Sequence, residues 1–258
     1  MPAPALEVHP GFLLREEAHK AAYDNGYRIE LGTKDGWIGY RSTTARGDIW
    51  IAREAGGGNW LLSISHTGAA AELGLPAAAI AGPGCITYAL GSVHQLHGAL
   101  DRVYKLSVSL PDAPLEVFTR QTEGLARTTE AERMVVQRIG QGLFCQALMD
   151  YWGGRCPLTG IADPELLRAS HIVAWADCET DALRLDVHNG LLLSALWDAA
   201  FDAGLVSFSD DGTAMCSPNL SAAAAAALDL ANAAPLTPLT DLHRQNLARH
   251  RNRHGYPA

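Results

Sequence analysis

No apolar run in the 258 residues approaches the roughly 20 that a bilayer-spanning helix needs. The start, Met1-Pro2-Ala3-Pro4 followed by Glu7 and His9, lacks the basic-then-apolar pattern of a secretion signal. Together these argue against a membrane protein, and a cytoplasmic location is expected. Cysteine is sparse. Cys85, Cys145, Cys156, Cys178 and Cys216 are scattered, odd in number and never spaced as Cys-x-x-Cys, which argues against a disulfide framework and against a zinc knuckle. Positive charge is also short, with a net charge of −8, whereas binding a polyanion relies on Lys and Arg to neutralise phosphates. Internal repeats are missing.

The charge that is present is unevenly placed. Residues 121 to 242 hold six Lys or Arg against sixteen Asp or Glu, while His243 to Ala258 contains four arginines, three histidines and no acid. An acidic body with a basic tail suits a protein whose acids hold metal ions, so net charge alone does not exclude a nucleic acid. Hydrophobic residues make up 48% and charged residues 19% of the chain, enough apolar material for a real core. This length exceeds the usual single domain, and two domains of roughly 110 to 140 residues are expected.

The texture along the chain divides in the same way. Phe12 to Asp24 reads as a helix, and the β-rich runs 38–41, 48–52 and 59–64 are separated by turn signals such as Lys34-Asp35-Gly36 and Gly56-Gly57-Gly58. A small twisted sheet follows from these runs. Thr87 to Asp101 reads as a further helix and Val103 to Val108 as a strand. The expected fold class is α+β: an α+β N-terminal domain over 1–115, a polar linker over 116–130, and a second domain over 131–258. The second begins with a helix over 131–152, or two short ones, with Gly140 and Gly142 marking a bend. Near the end, Ser221 followed by six alanines predicts a short helix.

The stretch from Arg155 to Phe208 carries the chemistry. A strand delivers His171 in Ser170-His171-Ile172, an acid-rich loop runs from Asp177 to Asp186, and Asn189-Gly190-Leu191-Leu192-Leu193 turns into a second strand. Ser194 then caps a helix closed by Gly204, so the order is strand, strand, helix. Asp198 and Asp202 stand four residues apart and share one helix face, where they can converge on a cation. Oxygen ligands point to Mg²⁺ or Mn²⁺, completed by water and a substrate phosphate. With an ordinary pKa of about 6.5, His171 suits a general base near neutral pH. Read alone, it is a core histidine; its ordered neighbours reverse that reading.

These motifs, with Phe201-Asp202-Ala203-Gly204-Leu205, resemble the HNH nucleases and their ββα-metal fold over roughly residues 134 to 220. The resemblance implies that His171 is the general base, that Asn189 holds the loop so the base is correctly turned, and that Asp198 and Asp202 are metal ligands. Many members place Asp or His immediately before the catalytic histidine and another His on the helix, where this chain has Ser170 and Trp197-Asp198. Many also brace the fold with paired cysteines on zinc. Here no structural zinc is expected, and packing must brace it.

The function expected is metal-dependent hydrolysis of DNA phosphodiester bonds, with Arg168, Arg244 and Arg249 as candidates to hold phosphates. An N-terminal domain that selects modified or foreign DNA would make it a restriction-type enzyme for phage defence, and Trp37, Trp50 and Trp60 with Tyr40 would either frame a base-reading pocket or simply fill the core, as most tryptophans on such strands do. HNH sites each handle one strand, so double-strand cutting would call for a homodimer or two nicks. The alternative is a DNA-binding or regulatory protein whose HNH module no longer cuts.

Overall fold

A computed structural model describes residues 5–125 and 128–257. Two units result, Met1–Ala113 and Pro114–Ala258. The first opens with helix α1 (Phe12–Asp24) and continues as strands β1 (Ile29–Lys34), β2 (Trp37–Arg41), β3 (Asp48–Arg53) and β4 (Trp60–Ile64). After helix α2 (Thr67–Glu72), strand β5 (Ile86–Leu90) completes one antiparallel sheet in the order β1-β2-β3-β4-β5, and helix α3 (Val93–Ser109) follows. The α+β expectation holds, but two assignments do not. Ile86-Thr87-Tyr88 is a strand because it pairs along β4, and the helix starts only at Ser92, whose hydroxyl accepts from the Gln95 N–H at 3.2 Å. Val103 to Val108 is helical, since Leu96, Ala99, Leu100, Val103 and Leu106 recur at helical spacing and all are buried.

Alternation along the strands sorts this sheet into two faces. Ile38, Ile51, Leu62 and Tyr88 align across it on one face, and α1 and α3 pack against its strands. Gly39, Trp50, Ser63 and Thr87 align on the other. There Trp37, Ala52 and Leu61 form a separate cluster, partly covered by Leu6, Ala78 and Ile80.

The stretch expected as a linker over 116–130 is helical as far as Thr122, in α4 (Asp112–Thr122). Ala126 and Arg127 lie outside the described residues. Helix α5 (Glu130–Tyr151) begins with a capping box in which Thr129 and Glu132 satisfy each other's backbone N–H groups. It is one continuous helix through Gly140 and Gly142. Gly140 permits a close approach, because a Cβ there would lie 2.6 Å from the Trp175 ring.

Strands β6 (Leu167–His171) and β7 (Gly190–Ser194) form an antiparallel hairpin with Ser170 opposite Leu191 and His171 opposite Gly190. Between them lies the short helix α6 (Asp181–Arg184). Helix α7 (Ala195–Asp202) leaves β7 directly. It ends where Gly204, at φ 66°, lets the Leu205 N–H reach the Ala200 carbonyl at 2.9 Å and the Gly204 N–H reach Phe201 at 2.8 Å. A second hairpin, β8 (Val206–Phe208) with β9 (Ala214–Cys216), is followed by α8 (Ala222–Ala227), capped by Ser221, and by α9 (Asp241–His254). Leu191, Leu192, Leu193, Trp197, Phe201, Phe208 and Leu247 share one core cluster with Cys156. Burying each large apolar side chain contributes roughly 1.5–3 kcal/mol. The hairpin and α7 are therefore braced by packing.

The basic tail belongs to this core. His243, Asn246, Leu247, His250 and Arg251 are its buried positions. Arg251 donates to the Phe208 carbonyl and to Asp210, both at 2.7 Å, and Asn246 donates to the His188 carbonyl at 3.0 Å. His250 bonds Ser207 Oγ through Nδ1 and the Phe201 carbonyl through Nε2, which a neutral ring satisfies on both sides. Its burial holds the pKa down at about 4.

Candidate active site

His171 ends β6 and is half-buried, with its ring stacked on Phe144 of α5 at 3.7 Å and set edge-on to Trp175 at 5.5 Å. Its Nε2 lies 2.9 Å from the Arg184 carbonyl. A carbonyl oxygen only accepts, so Nε2 carries the proton and Nδ1 keeps its lone pair. Burial pushes the pKa below the ordinary histidine value, and the Arg184 hydrogen bond opposes that shift. A neutral ring with one free basic nitrogen is the result.

The loop that presents the Arg184 carbonyl is held by Asn189, which is fully buried. Its Oδ1 accepts from the Val173 N–H at 2.8 Å, and its Nδ2 donates to the carbonyls of Val173 and Leu183, both at 3.2 Å, and to the Cys178 thiol at 3.4 Å. Arg184 itself spans the loop, donating to the Trp175 carbonyl at 3.3 Å, to Asp181 at 3.0 Å and to the Cys178 carbonyl. Gly190 follows Asn189 because a Cβ there would lie 2.5 Å from the Phe144 ring. A side chain at that point would displace the stack under His171.

On α7, Asp198 and Asp202 both face Ser170, which is buried on the adjoining strand. The Ser170 hydroxyl donates to Asp202 Oδ1 at 3.5 Å. Burial raises the pKa of both carboxyls. At Asp202 the charge of Asp198 adds to the rise while Ser170 opposes it, and at Asp198 Ser170 and then Arg168 oppose it. Two carboxylates that repel each other beside a hydroxyl oxygen, Asp198 half-buried and Asp202 exposed, suit a hard divalent cation, which would relieve that repulsion. Among the described residues no three or more His, Cys, Asp or Glu side chains gather as a metal cage. Such an ion would therefore draw its remaining oxygens from water and phosphate, as Mg²⁺ readily does.

Ser170, His171, Trp175 and Asp202 line one cavity of about 380 Å³ with Arg253 and His254 of α9. Residues 156–209 match the family model described as HNH endonuclease, a span that takes in the hairpin, the loop, α7 and β8. This stretch is an HNH domain. The motifs that suggested it, Ser170-His171-Ile172, Asn189 to Leu193 and Phe201 to Leu205, all lie within the match. No curated protein matches the chain.

Around this HNH domain, the arginines expected to hold phosphates are placed differently from one another. Arg168 is exposed on β6, donates to the carbonyls of Glu165 and Leu167, and acts on Asp198. Arg244 is tied to the Asp210 carbonyl at 3.0 Å and to Asp241 at 2.8 Å. Arg249 is exposed on α9 and acts on the Cys178 thiol. Sequence reasoning missed Phe144, Arg184 and His254 as site residues, and it took Arg253 only as part of a basic tail that could contact phosphates or merely solvate a terminal helix. Arg184 contributes through its backbone oxygen, which no residue type signals, and the α9 pair lies more than 40 residues beyond the matched span.

Proposed function

We propose that this protein is a metal-dependent endonuclease that hydrolyses DNA phosphodiester bonds, with His171 as general base. The observation that carries the reading is the contact of His171 Nε2 with the Arg184 carbonyl: with Nε2–H donated there, Nδ1 can take the proton of a water in the cleft shared with Asp202. Asn189 fixes the loop behind that hydrogen bond. Asp198 and Asp202 would hold Mg²⁺ or Mn²⁺. When bound, such an ion stabilises the charge that develops on the phosphate and the departing oxygen.

Asp198→Asn and Asp202→Asn test the metal assignment in two ways. Each is expected to weaken Mn²⁺ binding, measured by calorimetry without DNA, by at least about 10-fold, the loss that even a supporting residue of a metal site brings. Plasmid cleavage should fall alongside. Unchanged Mn²⁺ affinity in both variants would remove these carboxylates from the metal site. If the wild type binds DNA and Mn²⁺ but never cuts, the reading as a DNA-binding protein with a non-cutting HNH module replaces this one; Ser170, at a position where many members carry a ligand, is the feature that favours it.

The N-terminal unit is proposed to select the DNA, in the manner of a restriction-type enzyme acting on modified or foreign DNA in phage defence. Support comes from the sheet face that carries Trp50. A cavity of about 500 Å³ opens there between the β1-β2 turn, Trp37, Trp50 and Pro83. Trp60 is almost fully buried and stays out of it. A concave site with an accessible indole suits stacking of an extruded base. Trp50→Ala is expected to weaken binding of the preferred DNA by about 1–3 kcal/mol, the worth of one base stacked on an aromatic ring. Equal loss on plain and modified duplexes would deny the pocket a reading role.

A further inference from the structure

We infer that Arg253, in the last turn of α9, is a substrate-binding residue of the HNH cleft, where it takes a non-bridging phosphate oxygen of DNA in exchange for the carboxylate of Asp177. The inference rests on the nuclease reading above for the identity of the substrate, and on three observations for the residue.

The first is position. Arg253 lines the cavity that also holds His171 and Asp202. Its resting partner, Asp177, lies in the short turn Trp175–Asp177 that follows β6, and Trp175 lines the same cavity. The ion pair therefore links α9 to the loop that orients His171.

The second observation is availability. The Arg253 and Asp177 side chains are 56% and 48% exposed. An ion pair so open to water is held weakly, so a phosphate can displace the carboxylate. The other arginines of α9 are placed for other work. Arg251 is 8% exposed and bound to Phe208 and Asp210, Arg244 is bound to Asp210 and Asp241, and Arg249 does not line the cavity.

The third is charge and rigidity. Asp202 and Asp198 give this end of the domain negative charge that would repel a phosphodiester, and a guanidinium offers two parallel donors to a phosphate. The helix end that carries it is fixed. His254 packs against Gly204, where a Cβ would lie 2.0 Å from its ring, and the Tyr256 hydroxyl donates to the Gly204 carbonyl at 2.9 Å. Arg253 thus swings from an anchored base.

The test uses the full chain with Arg253→Ala, Arg253→Lys and Asp177→Asn. Two readouts are needed: cleavage of a duplex with Mg²⁺, separated into kcat and KM, and binding of the same duplex in EDTA by fluorescence anisotropy over a salt series. Arg253→Ala is expected to raise KM and Kd by about 10-fold, with kcat within about threefold, and to reduce the salt slope by about one. Arg253→Lys should recover part of the affinity, since a lysine keeps the charge without the paired donors. Asp177→Asn should shift KM the opposite way, downward, by freeing the arginine. An unchanged Kd and salt slope in Arg253→Ala would overturn the proposal, and so would equal losses of kcat and melting temperature in Arg253→Ala and Asp177→Asn, the signature of a structural ion pair. If the wild type does not cut, the nuclease reading fails while the binding series still decides the role of Arg253.

Discussion

Replacing His171 by alanine is expected to lower metal-dependent cleavage by about 10²- to 10⁴-fold, the usual contribution of a positioned general base. DNA binding should persist, because the ring is half-buried against Phe144 and Trp175 and its Nε2 is already engaged by a backbone carbonyl. His171→Asn separates loss of the base from loss of ring packing, and it should be as inactive. The pH profile carries a second signature. The base acts only when neutral, and burial lowers its pKa below the ordinary 6.5, so the rate should hold as pH falls through 6.5 and decline only at more acidic values. An acid limb at or above 6.5 that vanishes in no His171 variant would point to another base.

The second large effect is expected at Asn189. Asn189→Ala deletes one accepted and three donated hydrogen bonds inside the loop. The Val173 N–H and the Leu183 carbonyl lose a partner in a part-buried setting, while the Val173 carbonyl keeps the Cys178 thiol, and a group left unsatisfied costs about 1–3 kcal/mol. A loss of about 3 kcal/mol or more from the C-terminal unit is expected, measured by denaturant unfolding. Activity should fall further than stability explains, because the same loop carries the Arg184 oxygen that sets the tautomer of His171. If kcat in conditions where the variant is folded equals that of the wild type, Asn189 acts on stability alone.

The parts of the fold and site that were legible share a physical basis. A hairpin and a helix of few residues leave little freedom, so Ser170-His171-Ile172, Asn189-Gly190 and the four-residue spacing of Asp198 and Asp202 place their side chains by local geometry. The fold brings Asp198 and Asp202 to Ser170 and places His171 and Asp202 on one cavity. What escaped depends on distant partners. Val103-Tyr104-Lys105-Leu106 is rich in strand formers, yet the apolar spacing of the whole segment from Leu96 outweighs them. The close approach of Trp175 to Gly140 was not legible, because a glycine that permits close packing and one that interrupts a helix are the same letter. The arginines of α9 read as one basic stripe, but the structure divides them between a buried brace at Arg251, surface pairs at Arg244 and a cleft position at Arg253. Only the elements facing each of them decide which is which.

DNA cutting by this HNH domain with His171 as base is tested most directly by incubating supercoiled plasmid with wild-type and His171→Ala protein in Mg²⁺, Mn²⁺ and EDTA, using plain and modified DNA. Conversion to nicked or linear plasmid by the wild type with either ion, abolished by EDTA and by His171→Ala, is the result expected. Plasmid left equally intact by both proteins in every metal and on every substrate, with binding retained, would contradict it.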